Sequence, residues 1–396
     1  MQDAEYGKLE RKGPGKRAAG VPQGRMANLE LLRCVAMMMV VVLHYLGKGG
    51  LLPELTGTDM DSTGLVAWLL ECFCIVAVNV YMFLSGYLLC TSSFKPSRLV
   101  GLWFQVWVYS VAVGLLGALT GIVMETPVDT HYILTLLFPV SMSHYWFLTA
   151  YVFLYLLLPF MGIALRKMDR RQMQVAACCL LFAFCLLKSL LPARLEADQK
   201  GLDCLWYLCV FVAAAYMRRF GVSFLEKRGR GVFLYIGSCL AVFGGTFGLR
   251  EIYLRTGSLE LILKVFLEYN HILVFLAAAG LFAAFSRMQV SGWLSRLVNH
   301  IGPYTLGVYL LHENLGLRYT WQNWLGAERI TSVWGLAAGV AIAVTCVFVC
   351  GVLVDMLRVL VLKGMDECLG KLRVYQGWKG WLRKADSWFA GDGNLV

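Results

Sequence analysis

The chain has 396 residues, of which 59% are hydrophobic and only 15% charged, and its mean hydropathy is +0.64. That balance is too apolar for an ordinary soluble domain and predicts an all-α, polytopic membrane protein. The net charge of +11 would suit nucleic acid only if gathered on one face; here it is divided among the connections between apolar runs, which argues against that partner.

Ten apolar runs, near the roughly 20 residues that a bilayer crossing needs, follow in chain order. They lie at 28–47, 65–90, 99–123, 146–164, 172–191, 203–217, 231–249, 266–285, 303–317 and 331–361. The sixth and ninth are short enough to be partly re-entrant. Together they predict one bundle of about ten transmembrane helices over residues 28–362.

Lys and Arg mark the cytoplasmic connections. They cluster before the first run (Lys8, Arg11, Lys12, Lys16, Arg17, Arg25), at Lys95 and Arg98, at Arg166 to Arg171, at Arg218 to Arg230, at Arg287 and Arg296, and after the last run. The alternate connections carry more acid, including Glu54, Asp59, Asp61, Glu125, Asp129, Glu196 and Asp198. Both termini are therefore predicted to be cytoplasmic. Residues 1–27 read as a basic, disordered arm with scattered Gly and Pro; no apolar stretch precedes the first run, which is expected to act as the targeting element. In 363–396, Trp378, Trp381, Leu382, Ala385, Trp388 and Phe389 recur at helical spacing beside Lys379, Arg383 and Lys384. That pattern predicts an amphipathic helix in the inner leaflet interface.

All thirteen cysteines fall in the runs or on the predicted cytoplasmic side, so a disulfide framework is not expected. Cys72/Cys74 and Cys346/Cys350 lack the companion ligands of a zinc site, and no metal is expected. The chain has no Gly-rich phosphate loop, Gly-x-Ser-x-Gly elbow or His-Glu-x-x-His helix.

The first run carries three polar side chains. At 100° per residue, Glu30, Arg33, Met37, Val41 and His44 share one helix face, with His44 about 16 Å beyond Arg33 along the axis. An ionisable group inside a span costs about 2.5–3.5 kcal/mol on insertion scales and usually faces a bundle interior or a wet cavity. Tyr309, His312 and Glu313 share a face of the ninth run. His144 and His271 are expected at the outer interface, and Trp146 and Tyr151 as belt and packing residues.

The stretch "NLELLRCVAMMMVVVLHY" resembles the opening helix of the acyltransferase 3 family of bacterial membrane O-acyltransferases, although Glu30 stands where the family usually has Asp. "VNVYMFLSGYLL" at 78–89 and "KPSRL" beginning at Lys95 are similar to later segments of that family, and "HYWFLTAYVFLYLLLPF" at 144–160 and "TLGVYLLHENL" at 305–315 to segments of its branch that decorates surface glycans. The family commonly has Arg-x-x-Arg where this chain has Lys95 and Arg98, and Lys offers a point charge without the guanidinium fork.

The resemblance implies transfer of an acyl group, commonly acetyl, from cytoplasmic acyl-CoA to a hydroxyl of a cell-envelope glycan or lipid-linked acceptor. His44 is then the expected base, because imidazole, with a pKa near ~6.5, suits proton transfer at neutral pH. Arg33, Lys95 and Arg98 are the expected donor-phosphate site, with Glu30, Tyr309, His312 and Glu313 in support. A transporter or flippase for an envelope precursor would also place such groups in a bundle, but the chain shows no paired broken helices in its two halves. A scaffold or sensor module without chemistry is the other alternative.

Overall fold

The computed structural model describes residues 26–120, 129–191, 199–227 and 229–391. The arm assigned to 1–27 lies almost wholly outside the described residues, as do Glu125, Glu196, Asp198 and Arg228. Every regular element among the described residues is helical.

Eight of the ten predicted spans form helices long and apolar enough to cross a membrane: Ala27–Lys48, Ser62–Leu89, Pro96–Gly117, Trp146–Lys167, Arg170–Leu190, Arg230–Thr256, Glu260–Ser286 and Val333–Leu369. The other two are shorter. The sixth is the helix Cys204–Phe220, 17 residues and so about 25 Å long. The ninth is a single 3-10 turn, Gly302–Tyr304, followed by the eight-residue helix Thr305–His312. At 1.5–2 Å per residue it covers little more than half of the ~30 Å hydrocarbon layer.

Short polar side chains set where the helices begin, by accepting backbone N–H groups that have no intrahelical partner. Asp61 accepts from Gly64, Asp203 from Trp206 and Ser332 from Gly335. Asp169 and Gln172 make a reciprocal capping box at the start of the helix Arg170–Leu181. Pro159 lies inside Trp146–Lys167 without ending it, as membrane helices allow.

The opening helix is the axis of the bundle. It is 72% buried over its most apolar window, against 22% for Pro96–Gly117, Arg170–Leu190, Arg230–Thr256 and Val333–Leu369, which form the periphery. Leu32, Ala36, Val41, Tyr45 and Leu46 are fully enclosed, while the outer helices expose Leu119, Phe182, Phe233 and Leu360, as helices facing lipid would. Asn28 ties the start of the axis to the end of Ile272–Ser286 by donating to the Phe285 and Ser286 carbonyls. The thirteen cysteines are all free.

The tail forms the helix Arg373–Gly391. Asp386 accepts from the Ser97 N–H at 3.0 Å and the Ser97 hydroxyl at 2.5 Å, and Phe389 packs on Phe94 at 4.8 Å between ring centroids. The tail is thus seated on the first turn of Pro96–Thr120, with Trp378, Trp381 and Trp388 still exposed.

Candidate active site

His44 sits four residues from the end of the opening helix, where Gly49 stops it by donating its N–H to the Tyr45 carbonyl. Its imidazole meets the ninth segment. His44 Nδ1 lies 2.9 Å from His312 Nε2 and 3.1 Å from Glu313 Oε2. Glu313 is enclosed by cations: Lys48 Nζ stands 2.6 and 2.5 Å from its two oxygens, and Arg318 Nε stands 3.6 Å from Oε1.

The backbone assigns the protons. His312 Nδ1 lies 2.6 Å from the Val308 carbonyl oxygen, which can only accept, so Nδ1 carries the hydrogen and Nε2 presents a lone pair. His44 must then donate from Nδ1, and its Nε2 keeps a lone pair. Taking a proton at Nε2 would give an imidazolium whose other N–H is shared between His312 Nε2 and a Glu313 oxygen, which together hold the ring in one orientation. Trp321 donates to the His312 carbonyl and stacks on Tyr45 at 5.9 Å, and Gln322 donates to the His44 carbonyl. These contacts brace both histidines from behind.

At the other end of the same helix face, Arg33 Nη1 binds both oxygens of Glu30 at 3.0 and 2.9 Å. Glu30 is buried, and Gly302 lies against it, so that a Cβ there would push the carboxylate out of its present position.

A cavity of about 370 Å³ joins the two ends; Arg33, Arg98, His44, Tyr151, Trp146 and Tyr309 are among its lining residues. Trp146 and Tyr151, expected to serve only in belt and packing, therefore face this space. Lys95 is not part of the wall. Its backbone exchanges hydrogen bonds with the hydroxyl of Tyr155, which is.

His44, His312 and Glu313 bring three potential metal-ligand atoms within 4.8 Å of one another. The cations there oppose a metal ion: Lys48 and Arg318 already neutralise the Glu313 carboxylate, and a divalent ion would have to displace an ammonium held at 2.5 Å.

His144 and His271, the two histidines expected at the outer interface, are buried within the protein, at 5% and 3% exposure. His144 Nε2 accepts the Leu315 N–H, and Nδ1 lies 3.2 Å from the Ser110 hydroxyl; His271 Nδ1 accepts the Leu273 N–H at its own helix start. Such partners explain why a polar ring is tolerated inside. Sequence reasoning missed Lys48 and Arg318. Lys48 carried a signal, four residues after His44 on the same helix face; Arg318 lies in a connection and carried none.

A bundle of long apolar helices, with an imidazole and two guanidinium groups lining one cavity, is the architecture of a multi-pass membrane protein. The profile of an acyltransferase domain, acyltransferase 3, matches residues 26–352, and the chain belongs to that family: it is an enzyme that transfers acyl groups other than aminoacyl groups. Comparison with curated proteins and with solved structures gives no match.

Proposed function

We propose that the protein is an O-acyltransferase that moves an acyl group, acetyl in the simplest case, from cytoplasmic acyl-CoA to a hydroxyl of a cell-envelope glycan or lipid-linked acceptor. One observation supports this above the others: a single cavity is lined by Arg33 and Arg98 at one end of the opening helix and by His44 near the other. The guanidinium groups suit the phosphates of the donor. The apolar and aromatic wall suits a pantetheine arm reaching from them to His44.

In this reading His44 Nε2 removes the proton of the acceptor hydroxyl as its oxygen attacks the thioester carbon. The tetrahedral intermediate collapses, the C–S bond breaks, and the imidazolium returns its proton to the leaving sulfur, giving CoA thiol and the ester. His312 fixes the His44 tautomer, and a Glu313 oxygen 3.1 Å away accepts from the transient imidazolium. Both chain termini then lie in the cytoplasm, and the Lys48 end of the opening helix lies at the outer leaflet.

Mass spectrometry of envelope glycans and lipids from cells with and without the protein tests the reading, together with thiol release by purified protein given acetyl-CoA and those extracts. Loss of one acyl mass without the protein, restored with thiol release by its addition, is expected. An unchanged acyl pattern with no thiol release would contradict it.

A further inference from the structure

We infer that the Tyr309 hydroxyl donates the hydrogen bond that stabilises the oxyanion during acyl transfer, an inference that rests on the base role of His44. Tyr309 is 6% exposed, and its hydroxyl meets no hydrogen-bond partner among the described residues. That is unusual, because a buried hydroxyl without a partner carries a desolvation penalty that folded proteins avoid. Three other cavity tyrosines do have partners: Tyr81 donates to the Arg33 carbonyl, Tyr207 to the Ser85 hydroxyl and Tyr155 to the Lys95 carbonyl.

Position gives the unpartnered hydroxyl a use. Tyr309 lines the same cavity as His44. It lies one turn before His312 and Glu313, and the Glu313 N–H donates to its carbonyl at 3.0 Å. Its ring centroid is 6.1 Å from that of His312, which is 5.1 Å from that of His44. Attack on a thioester moves a full negative charge onto the carbonyl oxygen, and the most useful donor is one already desolvated and free of other partners. Tyr309 meets both conditions. The hydroxyl would bind the oxyanion as the tetrahedral intermediate forms and release it as the carbonyl returns, without transferring its own proton.

The test is Tyr309→Phe in the full-length protein reconstituted in vesicles, with acetyl-CoA as donor. The expected result is a fall in kcat of about 10²- to 10³-fold, the effect of removing one oxyanion donor, with the donor KM unchanged. Thermal stability should not drop, since no hydrogen bond is lost. A fluorotyrosine series at 309 reads the same role without deleting the group, and kcat should change steadily with phenol acidity. Unchanged kcat in Tyr309→Phe, or a flat fluorotyrosine series should the Phe variant not fold, would overturn the inference. His44→Ala separates the two ideas: loss of transfer there with a silent Tyr309→Phe sinks only the oxyanion role, whereas normal transfer by folded His44→Ala sinks the reading beneath it.

Discussion

His44 Nδ1 and His312 Nε2 lie 2.9 Å apart, and the Val308 carbonyl bound to the far side of His312 sets the direction of that contact. In the proposed mechanism His312 is a positioning residue that holds His44 in one tautomer. Replacing it by Phe should lower kcat by about 10- to 100-fold, the scale of a misplaced catalytic group, and leave the donor KM alone. A parallel rise in KM would show that His312 touches the donor instead.

Among the described residues, Glu313 is the single carboxylate paired with Lys48, Arg318 and His44. Glu313→Gln leaves an ammonium uncompensated at a nearly buried site, an imbalance that costs about 3–5 kcal/mol when a buried pair is broken. Thermal unfolding should show a clear loss of stability. Adding Lys48→Met should restore part of that stability, though not the activity. Additive losses in the double variant would mean that the two side chains are not coupled.

The cationic end makes a prediction about order. Arg98 lines the cavity and Lys95 does not, so Arg98→Gln should raise the acetyl-CoA KM about 10-fold or more, as expected for a lost charged hydrogen bond. Lys95→Gln should raise it less. Steady-state kinetics over a donor titration gives the comparison, and the reverse order would move the phosphate site away from the cavity mouth.

Because Lys48 occupies the carboxylate of the His44–His312–Glu313 group, transfer should survive chelation. Activity measured before and after dialysis against EDTA, with metal content read by mass spectrometry, should show no change and no stoichiometric metal. A bound equivalent whose removal abolishes transfer would assign the group as a metal centre.

His144 precedes the apolar helix that starts at Trp146. Burial, aided by the Arg318 guanidinium, pushes its imidazole down to about 3, against ~6.5 in an unfolded chain. Between those values the unfolded state binds the extra proton, so the contribution of His144 to stability is present above ~6.5 and is lost as pH falls toward about 3. The melting temperature should therefore decline between pH 7 and 4, and His144→Gln should flatten that decline. An equally steep decline in the variant would place the acid sensitivity elsewhere.

The opening helix was legible because its polar residues recur at a spacing that needs only helical geometry to bring Glu30, Arg33 and His44 onto one face. The Glu30–Arg33 pair follows from the same i, i+3 arithmetic. The ninth segment was less legible: hydropathy over 303–317 cannot show that the helix ends at His312, where Glu313 turns back toward Lys48. Long-range partners were invisible for the same reason. Nothing local links His44 to His312, 268 positions away, or His144 to the Leu315 N–H. Apolar length found eight long helices, while the two short ones depend on neighbours that pack around their ends.

The most direct measurement is acyl transfer by His44→Ala in vesicles, with acetyl-CoA binding followed in the same preparation. The expected result is normal donor binding with transfer reduced by about 10²- to 10⁴-fold, the range that a general base supplies. A folded His44→Ala protein that still transfers the acyl group at the wild-type rate would contradict the base at the centre of this mechanism.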